Sequence, residues 1–234
     1  MKPTVLVISC EHAVNTVPPD YLHLFQQHES ILQTHRAIDF GALEITQYMC
    51  KTMGCEYTQS TVSRLLIDCN RSLTHSRCFS KFSKKLPDSG KKSLIDHYYT
   101  PFRQQTKMII DSHIAANEQV LHLSIHTFTP VIKGLTQNTG IGLLYDSRRH
   151  AEKEVARQWH GLLLQETPEY RIRMNYPFPG NSDSFTTTLR HDYVERDYLG
   201  MEIEINQALL CSPAAIDEVA YALTHSMQEL LRLL

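Results

Sequence analysis

VLVISCEHAVNTVPPD, residues 5–20, is an apolar run that stops at an acid and a histidine and then passes into a double proline. Val5 to Ile8 is rich in β-branched residues and reads as a buried parallel strand, while Pro18 and Pro19 mark the next segment as loop. In an open α/β sheet, polar residues at the C-terminal edge of a strand stand where such folds place their ligands. Glu11 and His12 are therefore the first site candidates. A single histidine there also serves simply to hydrogen-bond its own loop, so the decision rests with the residues that join it.

Working outward, the chain has 234 residues and 42% hydrophobic content, enough for one large α/β domain over residues 1–234 with a sizeable core. A formal net charge of -2 gives no overall pull toward nucleic acid or an anionic membrane. No apolar stretch is long enough for a signal-peptide core or a membrane span, so a soluble, cytoplasmic protein is expected. The six cysteines are scattered without C-x-x-C spacing, which argues against a zinc knuckle or a disulfide framework. Several read as small buried residues.

The pattern AIDFGALEITQYMCKTMG, residues 37–54, predicts a helix with a glycine stop at Gly54. Asp39 falls near its first turn, either as a cap or aimed back at the first strand's edge. A strand through Tyr57 follows, then a second apolar run, Leu65 to Ile67, closed by Asp68, Asn70 and Arg71. Arg64 and Arg71 are donors of the kind that fork onto carboxylates, and either also suits an ion pair with Asp68 that holds the loop. His75 to Lys92 reads as a polar, basic excursion, a solvated loop or a lid. Residues 93–117 have helical periodicity interrupted by Pro101, predicting one bent helix or two short ones.

VLHLSIHTFTP, residues 120–130, repeats the logic of the opening stretch: a strand ending in His126 and Thr127. His122, Ser124 and His126 alternate onto one face, with His122 expected to be a satisfied core residue. TGIGLLYDSRR is a further short strand, and its G-x-G carries no nucleotide motif. A helix over residues 152–165 and a short strand near residues 170–174 come next. NYPFPGNSDSFTTT, residues 175–188, reads as loop; its Gly180 and Thr187, with Thr127 earlier, are candidate substrate contacts. In YLGMEIEINQ, residues 198–207, Glu202 and Glu204 share one face of an apolar strand. Acids are costly to bury there without a partner, which makes Glu204, nearer the strand end, the first candidate for a base and Glu202 the second. Ser212 and Pro213 then cap and start a final helix.

Four strands are thus expected to end in Glu11/His12, Asp68/Asn70/Arg71, His126 and Glu204, and an open sheet gathers such ends along one edge. Two histidines and a carboxylate form a catalytic zinc shell, with a further glutamate to accept a proton and an arginine to stabilise an oxyanion. A metal-free nucleophile, Ser9 or Cys10, lacks the G-x-S-x-G elbow.

CEHA before the double proline, HRAIDFGA, SRLLIDCNR, SIHTFTP and GMEIEINQ, in this order, resemble the N-formylglutamate amidohydrolase family, itself similar to zinc carboxypeptidases and the aspartoacylase group. The resemblance covers nearly the whole chain. It implies a phosphorylase/hydrolase-like three-layer α/β fold, with a mixed, mostly parallel central sheet flanked by helices, and cleavage of an N-acyl amino acid or related amide. It also implies one Zn2+ per chain held by His12, His126 and Asp39, with Glu11 the second choice for the carboxylate. Glu204 would be the general base, Arg64 would sit near the scissile carbonyl, and Asn70 and Arg71 would hold a substrate carboxylate. Asn15 stands where the zinc carboxypeptidase pattern has glutamate, and Asn206 where many relatives have arginine. Both favour the alternative of a binding protein for an acidic small molecule.

Overall fold

The computed structural model describes residues 2–132 and 134–234. One six-stranded sheet organises them, in the order β2-β1-β3-β8-β6-β7. Its strands are β1 (Thr4–Cys10), β2 (Glu56–Gln59), β3 (Gln119–Phe128), β6 (Ile141–Leu144), β7 (Ile172–Met174) and β8 (Tyr198–Asn206). β4 (Val131–Ile132) and β5 (Leu135–Thr136) form a separate small hairpin. β2, β1, β3 and β8 run parallel, β6 pairs antiparallel with β8, and β7 follows β6 in parallel. The sheet is therefore mixed and mostly parallel, as expected.

Helices cover both faces. α1 (Ala42–Met53), α4 (His150–Glu166) and α6 (Pro213–Leu233) lie on one, where Ile45, Met49, Trp159, Leu223 and Met227 pack on Ile8, Leu123 and Ile203. α2 (Asp88–Leu94), α3 (Thr100–Ala115) and α5 (Phe185–Asp192) lie on the other, with Phe102, Ile110 and Phe185 against Val7, Val120 and Tyr198. Gly54 ends α1 with a left-handed φ of 69°, the conformation glycine adopts most readily at a helix stop. Ser212 caps α6 by accepting the Ala215 N–H at 3.2 Å, with Pro213 in the first turn.

Strand alternation creates the site. On the α3/α5 face, β1 presents Val7, then Ser9 and leads to Glu11; β3 presents Val120, His122, Ser124 and His126; β8 presents Tyr198, Gly200, Glu202 and Glu204. Register places Ser9 beside Ser124, Ser124 beside Glu202, and His126 beside Glu204. This face is apolar where the strands begin and polar where they end, so the period of two delivers a ready-made polar patch to the C-terminal edge.

Three expectations are corrected. Leu65 to Ile67 is not a strand but turn, and its side chains fill the second core cluster beneath α3. Residues 75–92 are not a free excursion: Cys78 and Ser83 are buried, Cys78 O accepts from Asp68 N at 2.8 Å, and the segment's last part is the start of α2. Phe185 to Thr188 is not loop but the first turn of α5, capped by Ser184. Residues 93–115 belong to one continuous helical run that begins at Asp88, with a single wide turn at Ile95–Tyr99 just before Pro101.

Candidate active site

A cleft of about 570 Å³ opens at the C-terminal edge of the sheet. His12, Asp39, Arg64, Asn70, Arg71, His126, Thr127, Glu202 and Glu204 line it. Gly180 and Thr187 do not. A Cβ at Gly180 would lie 2.2 Å from Tyr145 N, so this glycine serves close packing. Its carbonyl accepts from Arg190 at 2.8 Å, and Thr187 Oγ1 lies 3.2 Å from the same guanidinium nitrogen. Both belong to a buried hub in which Arg190 pairs with Glu152, while Ser182, Asp183 and Ser184 of the same segment face the cleft.

At the centre, His12 Nδ1, His126 Nδ1 and Asp39 Oδ2 converge. The two nitrogens are 3.1 Å apart, and Asp39 Oδ2 lies 3.1 Å from the first and 3.0 Å from the second. Asp39 does not cap α1, whose cap position is Gly41. The turn before the helix instead folds its carboxylate back onto the strand ends, with Asp39 N donating to His12 O at 3.1 Å.

Each imidazole is held from behind. His12 Nε2–H donates to Asp68 Oδ1 at 2.8 Å, and Asp68 Oδ2 accepts from Arg64 at 3.0 Å. His126 Nε2 meets Ser124 Oγ at 2.8 Å, with Asn70 Nδ2 at 3.1 Å from the same nitrogen. Ser124 Oγ–H donates to Glu11 Oε2 at 2.6 Å, and Ser9 Oγ–H donates to Glu11 Oε1 at 2.6 Å. His122 completes the chain, donating to Ser9 at 2.8 Å and accepting from Tyr198 at 2.7 Å. The donors run in one direction, from Tyr198 through His122 and Ser9 to Glu11, and from His126 through Ser124 to the same carboxylate. Glu11 is therefore an anchor behind His126, and His122 is the satisfied core residue its place in the strand implied.

Charge concentrates at this point. Burial opposes ionisation of Asp39, but the His12 charge and the His12 and His126 hydrogen bonds outweigh it and hold Asp39 well below the usual carboxylate range. Burial likewise opposes a charged His126, yet its hydrogen bond to Asp39 and the charges of Glu11, Asp39 and Glu204 lift its pKa to about 10. For Asp68, the Arg64 and His12 charges overcome burial and keep it ionised. Glu204 goes the other way. Burial, with the Asp39 and Glu202 charges, raises it to about 8 against the pull of His126 and Arg64. Its Oε2 is buried with no hydrogen-bond partner among the described residues. Glu202 is anchored by Thr186 at 2.5 Å, and His126 and its hydroxyl partners keep it ionised despite burial.

The donor set fits a zinc-type ion. His12, Asp39 and His126 offer two imidazole nitrogens and one carboxylate oxygen, all within 4.8 Å of one another, and all three residues are buried. Tetrahedral bonds of ~2.0–2.1 Å set ligand atoms about 3.3 Å apart, close to the separations here. The tautomer fixed by Asp68 leaves a lone pair on His12 Nδ1, which faces Arg64 Nη1 at 3.0 Å, and the proton His126 turns toward Asp39 is one that a cation would displace.

Neither Ser9 nor Cys10 lines the cleft, and burial raises the Cys10 thiol well above its ordinary range. Asn15 donates to Leu32 O at 2.8 Å and so fastens a neighbouring turn. Asn206 donates to Thr139 O at 2.9 Å and accepts from Ala208 N at 3.0 Å, ending β8. Both asparagines are thus structural. Ser124 shares the β3 face of His126, which the alternation of that strand shows, whereas only the folded turn brings Asp68 to His12.

The strand ends of this open, mostly parallel α/β sheet thus gather two imidazoles, a buried aspartate and a buried glutamate into one candidate metal centre. The sequence profile of the N-formylglutamate amidohydrolase family matches residues 4–211, and the chain belongs to that family. This places it among hydrolases of amide bonds. The structure is similar to that of gene product Atu2144 from Agrobacterium tumefaciens, with TM-score 0.80, 26% identity and coverage of 99% of this chain and 91% of that one. It also resembles the N-formylglutamate amidohydrolase from Ralstonia eutropha JMP134, with TM-score 0.70, 14% identity and coverage of 100% and 95%. No curated protein matches the chain. No helix among the described residues is long and apolar enough to cross a membrane.

Proposed function

We propose that this chain is a zinc-dependent amidohydrolase that cleaves an N-acyl amino acid, of the N-formylglutamate kind, in the cytoplasm. The observation that carries it is the convergence of His12 Nδ1, His126 Nδ1 and Asp39 Oδ2 at 3.0–3.1 Å beside the unpartnered Oε2 of Glu204. Zinc held by His12, Asp39 and His126 would supply Lewis acidity toward a water and an amide carbonyl. Glu204 takes the proton of the attacking water, its appetite for protons raised by burial to about 8, and returns it to the leaving amine. Arg64 presents its guanidinium to the carbonyl oxygen as charge develops there. Asp68 and Ser124 keep the two imidazoles in the orientation that the centre needs. Asn70 and Arg71 hold the substrate's carboxylate, and Thr127 closes the wall beside His126.

The test is steady-state hydrolysis of N-formylglutamate and related N-acyl amino acids by the zinc-loaded protein. Glu204→Gln is expected to lower kcat by ~10²–10⁴-fold at nearly constant KM. Arg71→Ala is expected to raise KM with kcat little changed. The reverse assignment of effects would overturn both roles.

A further inference from the structure

The cleft does not end at the catalytic cluster. A second hollow of about 450 Å³ continues from it, and the two share His35, Arg64 and Arg77 in their walls. Arg36, Arg77, Lys81 and Lys84 line this groove and are exposed. Among the described residues none of these four meets a carboxylate. Lys81 lies over the Phe82 ring, 4.8 Å from its centre. The one acid in the groove wall, Asp68, is already engaged by His12 and Arg64. The groove thus presents unneutralised positive charge next to the reacting centre, an arrangement that draws an anionic ligand.

Its direction follows from the cluster. Asn70, Arg71 and Ser184 lie on the His126 side, where Asn70 Nδ2 is 3.1 Å from His126 Nε2 and Asn70 Oδ1 accepts from Phe185 N. Arg64 and Asp68 lie on the His12 side and lead into the groove. An amide whose amino-acid half is held by Asn70 and Arg71 sends its acyl half past Arg64. A formyl group would leave the groove empty, since the cleft alone is already within the ~300–1,000 Å³ that encloses a drug-sized ligand.

Resting on the amidohydrolase reading, we propose that the groove is an acyl-side subsite and that the substrate is an amide whose acyl half ends in a carboxylate. Hydrolysis then adds water across the C–N bond, with hydroxyl to the acyl carbon and hydrogen to the nitrogen, releasing a dicarboxylate and a free amino acid.

The experiment compares kcat/KM for N-adipoylglutamate and N-hexanoylglutamate, which match in acyl length and differ in the terminal charge. It uses the zinc-loaded full chain and its Arg36→Ser/Lys84→Ser variant, with calorimetric binding of adipate and hexanoate measured beside it. The charged acyl group is expected to be favoured by about tenfold in the wild type, falling to within about twofold in the variant, because several exposed ion pairs of modest strength act together. Equal efficiency toward the two amides in the wild type overturns the groove and leaves the hydrolase reading standing. If neither amide is cleaved, calorimetry decides: adipate bound more tightly than hexanoate, and weakened in the variant, supports the groove, and the hydrolase reading falls only when N-formylglutamate is not cleaved either. Adipate bound no more tightly than hexanoate overturns the groove.

Discussion

Glu11→Gln separates the anchor of the site from its ligands. In the native chain this carboxylate accepts two hydroxyl protons at 2.6 Å, one from Ser9 and one from Ser124, and each serine oxygen already faces a histidine. Glutamine keeps one acceptor oxygen and turns an NH₂ toward the other serine, so one hydroxyl proton is left without a partner in a buried place. Losing a hydrogen bond to a charged acceptor costs about 1.5–3 kcal/mol of folding stability. The disturbance reaches the centre through Ser124, which holds His126 Nε2, and supporting partners of this type change metal affinity by about 10–100-fold. In free energy that is about 1.4–2.7 kcal/mol. Zinc affinity measured by competition with a chelating dye, alongside denaturant unfolding, reads both effects. Affinity unchanged within about twofold would refute the anchoring chain. Loss as complete as in His126→Ala would make Glu11 a ligand instead.

Other consequences are equally open to measurement. Burial, with help from Arg190, pulls His122 down from 6.5 to about 4 against the charges of Glu11 and Glu202. An unfolded histidine protonates first as the pH drops, so this contribution to stability is whole above pH ~6.5 and is lost as pH falls toward 4, amounting to about 3 kcal/mol. His122→Gln should flatten that part of the stability profile; parallel profiles for variant and wild type would count against it. Glu152 is fully buried and receives Arg190 at 3.0 Å, Gly200 N at 3.0 Å and Asp146 N at 3.0 Å, tying α4 to α5 and β8. Glu152→Ala strands a buried guanidinium and should cost about 3–5 kcal/mol in denaturant unfolding, and a loss under 1 kcal/mol would show that the hub carries little.

The strand-end residues were legible because they depend on short-range pattern. An apolar run that stops at Glu11/His12 or at His126, and the period of two that puts Glu202 and Glu204 on one face, need no long-range information. Leu65 to Ile67 was misread for the opposite reason: three apolar residues have no measurable period, and a turn that buries its side chains looks the same as a short strand. The first turn of α5 hid behind three threonines of low helix propensity, although the cap sequence from Ser184 to Thr187 was present. Gly180 and Thr187 lie outside the cleft wall because they bond Arg190, which gives no local sign in the sequence of being buried with Glu152. Asp68 and Ser124 owe their roles to contacts across 56 and 2 residues. Only the second of these can be read from alternation along a strand.

Zinc content of the purified full chain, by elemental analysis without added metal and side by side with His126→Ala, tests the centre most directly. About one zinc per chain, lost when one of the three converging ligand atoms is removed, is the expected result. A wild-type protein that carries no zinc and fails to bind it when supplied would contradict a metal-dependent hydrolase built on His12, Asp39 and His126.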